Sequence, residues 1–138
     1  MKLKDLGNAL PGGVYEAVFE DFQIRTSSSN LPYIGAYFRI SGGDYDGRRL
    51  WDSISLTKQA DWKIKEFLTA LGVKEDEEIG DPFQPDDIFI KLLSRLKGKK
   101  VRISVILDTT SSNRNDIESY YPYEEVEIEG LDELGKVL

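Results

Sequence analysis

The sequence reads as a mainly β domain with a helical insertion: three strand-like segments, a pair of helices, then two more strands. Two observations lead to this reading. Apolar and polar residues alternate through 33–40, 48–56 and 101–107, which is the two-residue period of a strand with one buried face. Between the last two of these runs the spacing changes. Ile64, Phe67, Leu68 and Leu71 then repeat at the three- and four-residue intervals of an amphipathic helix.

Taken in order, residues 1–12 form an N-terminal lead-in that ends at the Pro11-Gly12-Gly13 break. Val14 to Arg25 is a first strand, rich in Val, Tyr, Phe and Ile. Its alternation changes parity: Tyr15, Ala17 and Phe19 share one face, whereas Phe22 and Ile24 fall on the other. One extra residue near Glu20-Asp21, a β-bulge or a sharp bend, reconciles the two halves. Ser27-Ser28-Ser29-Asn30 is a loop. The second strand puts Ile34, Ala36, Phe38 and Ile40 on one face and Tyr33, Gly35, Tyr37 and Arg39 on the other. A turn with three glycines and two aspartates, Gly42 to Gly47, follows. In the third strand Leu50, Ile54 and Leu56 face inward, Arg49, Trp51, Ser53 and Ser55 face outward, and Asp52 breaks the inward pattern.

Thr57 is positioned to cap a helix that runs to Leu71 and stops at Gly72, with Trp62 off its apolar stripe. The segment Glu75–Asp87, with Pro82 and Pro85, is an acidic connector. A second helix then begins at Asp86 and Asp87, lines one side with Ile88, Leu92 and Leu96, and ends at Gly98. Val101, Ile103, Val105 and Leu107 mark a fourth strand. Thr109–Asp116 is a polar loop, and Ile117–Tyr123 a fifth strand. This element order is the layout of a five-stranded Greek-key OB-fold barrel, with helices between strands 3 and 4. The domain occupies 13–123, and an acidic C-terminal tail follows at 124–138.

Composition narrows the chemistry. The chain has no cysteine and no histidine, which removes thiolate and imidazole metal sites, cysteine nucleophiles and the commonest general base. No cofactor is expected. There is no run of about 18 apolar residues to meet a membrane, and no secretory signal at Met1-Lys2-Leu3-Lys4-Asp5, so the expected setting is cytoplasmic. The net charge of −7 is unevenly placed. Residues 75–87 carry seven acids and no base, and residues 124–138 carry a net −5. Removing both segments leaves +5 on the other 110 residues, a basic body with two acidic segments.

The outward face of strands two and three carries the functional signal. Tyr33, Tyr37, Arg39, Arg49 and Trp51 place three aromatics and two arginines on neighbouring outward positions. Exposed rings leave apolar area in water, and a single nucleic-acid strand supplies bases to cover it and phosphates for the arginines. Lys99, Lys100 and Arg102 at the start of strand four, Arg114 near the loop tip, and Tyr121 extend the candidate nucleic-acid-binding set. The same aromatics also suit packing beneath a terminal segment, or an OB-type protein–protein interaction module without nucleic acid. A Mg²⁺-dependent nuclease needs only carboxylates, and Asp44 with Asp46 or Asp86 with Asp87 are the available pairs. Each pair also has an ordinary use in a turn or at a helix start, so the expectation is a protein that is not an enzyme.

Gly13-Val14-Tyr15-Glu16-Ala17, Tyr37-Phe38-Arg39-Ile40, Asp44 to Trp51 and Phe67 to Gly72 together resemble a family of bacteriophage single-stranded DNA-binding proteins, over roughly residues 12–123. The resemblance implies an OB-fold, sequence-tolerant coating of single-stranded DNA, and a role in DNA replication or DNA recombination in the host-cell cytoplasm. It also implies an acidic tail that recruits replication or recombination proteins and competes with DNA. Proteins of this kind are often multimeric, so a homo-oligomer stays open. The tail here departs from the family form, with Lys136 near its end and no closing aromatic.

Overall fold

The computed structural model describes residues 9–108 and 114–123. Five antiparallel strands, β1 (Gly13–Thr26), β2 (Pro32–Ile40), β3 (Arg49–Ser55), β4 (Lys100–Asp108) and β5 (Arg114–Pro122), form one sheet in the order β3-β2-β1-β4-β5. A 3₁₀ turn (Lys58–Ala60) and two helices, α1 (Asp61–Ala70) and α2 (Asp87–Leu96), lie between β3 and β4. The chain is therefore mainly β with a helical insertion. The acidic tail and the loop residues 109–113 lie outside the described residues, as does the lead-in up to Asn8.

β1 is shared by both halves of the sheet. Ala17 to Thr26 pairs with β2, and Gly13 to Val18 pairs with β4. The expected parity change is present as a register shift: Phe19 stands opposite Phe38 and Asp21 opposite Tyr37, leaving Glu20 as the extra residue. Ala17 and Phe19 before the shift, and Phe22 and Ile24 after it, then all reach the core. The backbone is pinned here, since Phe19 N donates to Lys99 O at 2.9 Å and Gly98 N donates to Phe19 O at 2.7 Å.

Four rings make the centre of the core. Phe19 of β1 lies 5.8 Å from Phe38 of β2 and 5.4 Å from Phe67 of α1. Tyr120 of β5 completes the set at 5.6 Å from Phe38 and 5.4 Å from Phe67. Ile64, Phe67, Leu68 and Leu71 are all buried, as their helical spacing requires. Tyr120 also answers the irregularity at Asp52. Its hydroxyl donates to Asp52 Oδ2 at 2.5 Å, and Lys63 Nζ of α1 sits 3.1 Å from the same oxygen. The sheet's two end strands, which share no ladder in its strand order, are tied together by this side-chain bridge.

Several local expectations are corrected. Thr57 makes no capping hydrogen bond; it precedes the 3₁₀ turn, and α1 starts four residues later at Asp61. In α2 the buried face is Phe89, Leu92, Leu93 and Leu96, while Ile88 is exposed, because the helix turns Phe89 rather than Ile88 onto the core. Asp86 does cap that helix, accepting from Phe89 N at 2.9 Å. Leu107 is exposed: the inward alternation of β4 ends at Val105, and the register shift opposite Ser104/Val105 places its extra residue, Glu118, on β5. The described end of the lead-in packs on the domain: Leu10 is fully buried, its N donates to Asn115 Oδ1 at 2.8 Å, and Asn115 Nδ2 donates back to Leu10 O at 2.9 Å. No helix among the described residues is long and apolar enough to cross a membrane.

Burial, then the charge of Asp52, holds the Tyr120 phenol well above the ordinary tyrosine value of 10.0. Above about pH 10 the unfolded chain loses this proton while the folded chain keeps it, so stability falls as pH rises. Tyr120→Phe should cost about 1–2 kcal/mol at neutral pH through the lost hydrogen bond. It should also lose less stability than the parent between pH 8 and pH 11 in denaturant titrations. Equal losses in both proteins would show that Tyr120 is not the titrating group.

Candidate nucleic-acid interface

The outward face follows from strand register. Tyr37 stands directly opposite Trp51, Arg39 opposite Arg49, and Tyr33 opposite Ser55. Their sequence neighbours Ile34, Ala36, Phe38 and Ile54 are fully buried, so the pleat sends the rings and guanidinium groups the other way. Trp51 is 62% exposed. Tyr33, Tyr37 and Arg39 are half-buried and Arg49 is exposed. The Tyr37 hydroxyl and Arg25 Nε both come within 3.9 Å of where a Cβ on Gly35 would stand, so both side chains reach over this glycine. Beyond Tyr33 the face runs into a hollow of about 460 Å³, walled by Ser27, Ser28, Ser29, Ser53 and Ser55.

The face continues across β1. Val18 is opposite both Arg39 and Lys100, so Arg49, Arg39, Val18 and Lys100 form one row of roughly 14 Å across four strands. Lys100 Nζ lies 5.1 Å from the centre of the Tyr123 ring, and the Arg102 guanidinium lies 5.9 Å from it. Arg102 is opposite Tyr121, which is 46% exposed, whereas Tyr120 is buried. Of that tyrosine pair, Tyr121 is therefore the outward one. Eight of the ten candidate residues thus share a surface: Tyr33, Tyr37, Arg39, Arg49 and Trp51 at one side, and Lys100, Arg102 and Tyr121 at the other.

Two candidates are not brought into it. Lys99 has the parity of buried Val101 and does not continue the Lys100–Arg102 row. Arg114 stands at the opposite end of β5 from Tyr121, roughly 23 Å along the strand, where its Nε is 3.4 Å from Asp116. Glu20, Arg25, Lys97 and Tyr123, on or beside the face, lie outside the sequence-derived set. Arg25 and Tyr123 were legible, since Arg25 follows the new parity after the bulge and Tyr123 is two residues beyond Tyr121. Glu20 and Lys97 needed coordinates. Lys97 Nζ reaches Asp21 at 3.5 Å, and Glu20 is bracketed by Arg39 Nε at 2.9 Å and Arg49 Nε at 3.4 Å.

The acidic connector is held on the helix side. Glu75 pairs with Lys65 of α1 at 3.2 Å and Glu77 with Arg95 of α2 at 2.5 Å. The Lys74 backbone N–H first, and Arg95 second, hold the Glu77 carboxyl below the ordinary carboxylate range. Since α1 covers the inner side of the sheet through Phe67, these acids do not lie over the outward face. One member of each carboxylate pair has a structural duty: Asp46 Oδ1 accepts from Gly42 N at 2.6 Å in the β2–β3 turn, and Asp86 caps α2. A separate hollow of about 620 Å³ lies between α1 and the connector, lined by Trp62, Leu68, Val73, Ile79 and Phe83 among others.

No family model matches the chain, and no curated protein matches it.

Inward and outward residues of adjacent positions should respond oppositely to truncation. Phe38→Ala should destabilise the fold by about 3–5 kcal/mol, whereas Trp51→Ala should stay within about 0.5–1 kcal/mol. Paired thermal or denaturant melts check this, and a large loss for Trp51→Ala would place that ring in the core.

Proposed function

We propose that this chain is a non-catalytic, sequence-tolerant single-stranded DNA-binding protein of the OB-fold barrel type, of the kind bacteriophages use in DNA replication and recombination. The observation that carries the reading is the cross-strand pair Tyr37–Trp51, flanked by Arg39–Arg49 in the next row but one and turned away from the core. Rings of this kind stack on any base, since every base has a π-face, at roughly 1–3 kcal/mol each. Arginine adds phosphate pairing or stacking on a base. The strand order supports the barrel assignment: it is the ladder sequence of an OB-fold with one seam left, and the Tyr120–Asp52 hydrogen bond bridges that seam. The family resemblance of the sequence points the same way.

Single-stranded DNA is the proposed partner, with replication or recombination proteins meeting the acidic tail. In the competing reading the same face meets a protein, because Tyr, Trp and Arg are also enriched at such interfaces. Salt separates the two, since phosphate contacts release counterions and affinity for a strand falls steeply as salt rises.

The direct test is a fluorescence titration of Trp62→Phe, which leaves Trp51 as the sole one of two tryptophans. A short oligothymidylate at low salt should quench Trp51, and duplex DNA of equal length should not. Tyr37→Ala should then cost about 1–3 kcal/mol of strand affinity with the fold retained. Absence of strand binding at low salt would turn the reading towards a protein partner. Deleting residues 124–138, which carry a net −5, should tighten strand binding by removing a competing polyanion. An unchanged dissociation constant would count against that role for the tail.

A further inference from the structure

The bulge in β1 has a chemical consequence. The extra residue it inserts is a glutamate, and the shift delivers its carboxylate to the outward face between the two arginines assigned to phosphate. Arg39 Nε donates to Glu20 Oε2 at 2.9 Å, and Arg49 Nε lies 3.4 Å from Oε1, so one carboxylate spans both guanidinium groups. The backbone before Glu20 is fixed by the hydrogen bonds of Phe19 with Gly98 and Lys99, and after it Asp21 resumes the ladder opposite Tyr37, so Glu20 is placed by the strand rather than by a flexible loop.

We propose that Glu20 is a built-in competitor for anions: its carboxylate holds the seat between Arg39 and Arg49 that a phosphate group of the bound strand must take. The inference rests on the strand-binding reading above and sharpens it. A carboxylate and a phosphate are both planar or tetrahedral clusters of oxygens that guanidinium groups grip in the same way, so both compete for the same N–H donors. Arg49 is 76% exposed in its side chain, and exposed ion pairs are weak, so a phosphate displaces Glu20 from Arg49 more readily than from the half-buried Arg39. Once displaced, the carboxylate stays within about 5 Å of the phosphate and repels it, which lowers affinity. Two arginines and one glutamate leave only a single net positive charge here. A ligand that offers phosphates alone gains little from displacing Glu20, whereas one that also offers bases to Trp51 and Tyr37 recovers the loss by stacking. Glu20 thus biases the face towards bases presented with a backbone, and against bare polyanions.

Glu20→Gln keeps the side chain's shape and an acceptor for Arg39 while removing the charge. In the full chain, this variant should bind oligothymidylate about three- to tenfold tighter than the parent at low salt. The slope of log affinity against log salt should steepen by up to about 0.7. A larger gain is expected for inorganic polyphosphate, which has no bases. Adding Arg39→Gln and Arg49→Gln to Glu20→Gln should abolish both gains, while melting curves show that each variant folds. Unchanged or weaker binding of both ligands by Glu20→Gln would overturn the inference and leave the strand-binding reading standing wherever the parent binds DNA. If neither protein binds oligothymidylate but Glu20→Gln gains affinity for polyphosphate, the strand reading falls and the anion seat survives.

Discussion

The structure depends on one extra residue in its first strand. β1 must face a common core while pairing with β2 along one length and β4 along another, and a strand of unbroken parity cannot do this with the sequence present. Ala17 and Phe19 are odd-numbered, Phe22 and Ile24 even-numbered, and all four reach the core only because Glu20 is skipped in the ladder. Removing the bulge would turn one of the two halves inside out, exposing its apolar residues and burying Asp21, Gln23 and Arg25.

The core records the same constraint from inside. Phe19, immediately before the bulge, touches Phe38 and Phe67, and these two also touch Tyr120. One ring from each of β1, β2, α1 and β5 therefore meets at a single point. Edge-to-face and tilted contacts of this type add stability beyond the area they bury. Tyr120 extends the cluster to polar ground, where Asp52 accepts its hydroxyl and Lys63 neutralises the carboxylate. The acid that breaks the inward pattern of β3 is thus the acceptor that joins the two end strands.

Charge is sorted by the same architecture. The connector's carboxylates are tied to Lys65 and Arg95 on the helices, and the basic and aromatic residues are carried outward by the sheet. A negative total charge therefore coexists with an outward face that gathers arginines, lysine and aromatic rings. At the centre of that face the bulge residue sets a carboxylate between two guanidinium groups.

The sequence by itself determined what depends on nearest neighbours along the chain. Alternation in residues 33–40 separated Phe38 from Tyr37, helical spacing identified the buried stripe of α1, and a change of parity located the bulge. These signals are local, because side-chain direction in a strand or helix repeats with the backbone. Tertiary structure alone decided which distant groups meet. Nothing within reach of Asp52 in sequence announces Tyr120, nothing near Leu10 announces Asn115, and parity alone gives Glu20 no partner. Those pairings are set by strand order and register across the sheet, where residues 19 to 105 positions apart come within hydrogen-bond distance. Alternation along one strand carries no information about which strand lies beside it, and for that reason the face was readable from the sequence while the carboxylate at its centre was not.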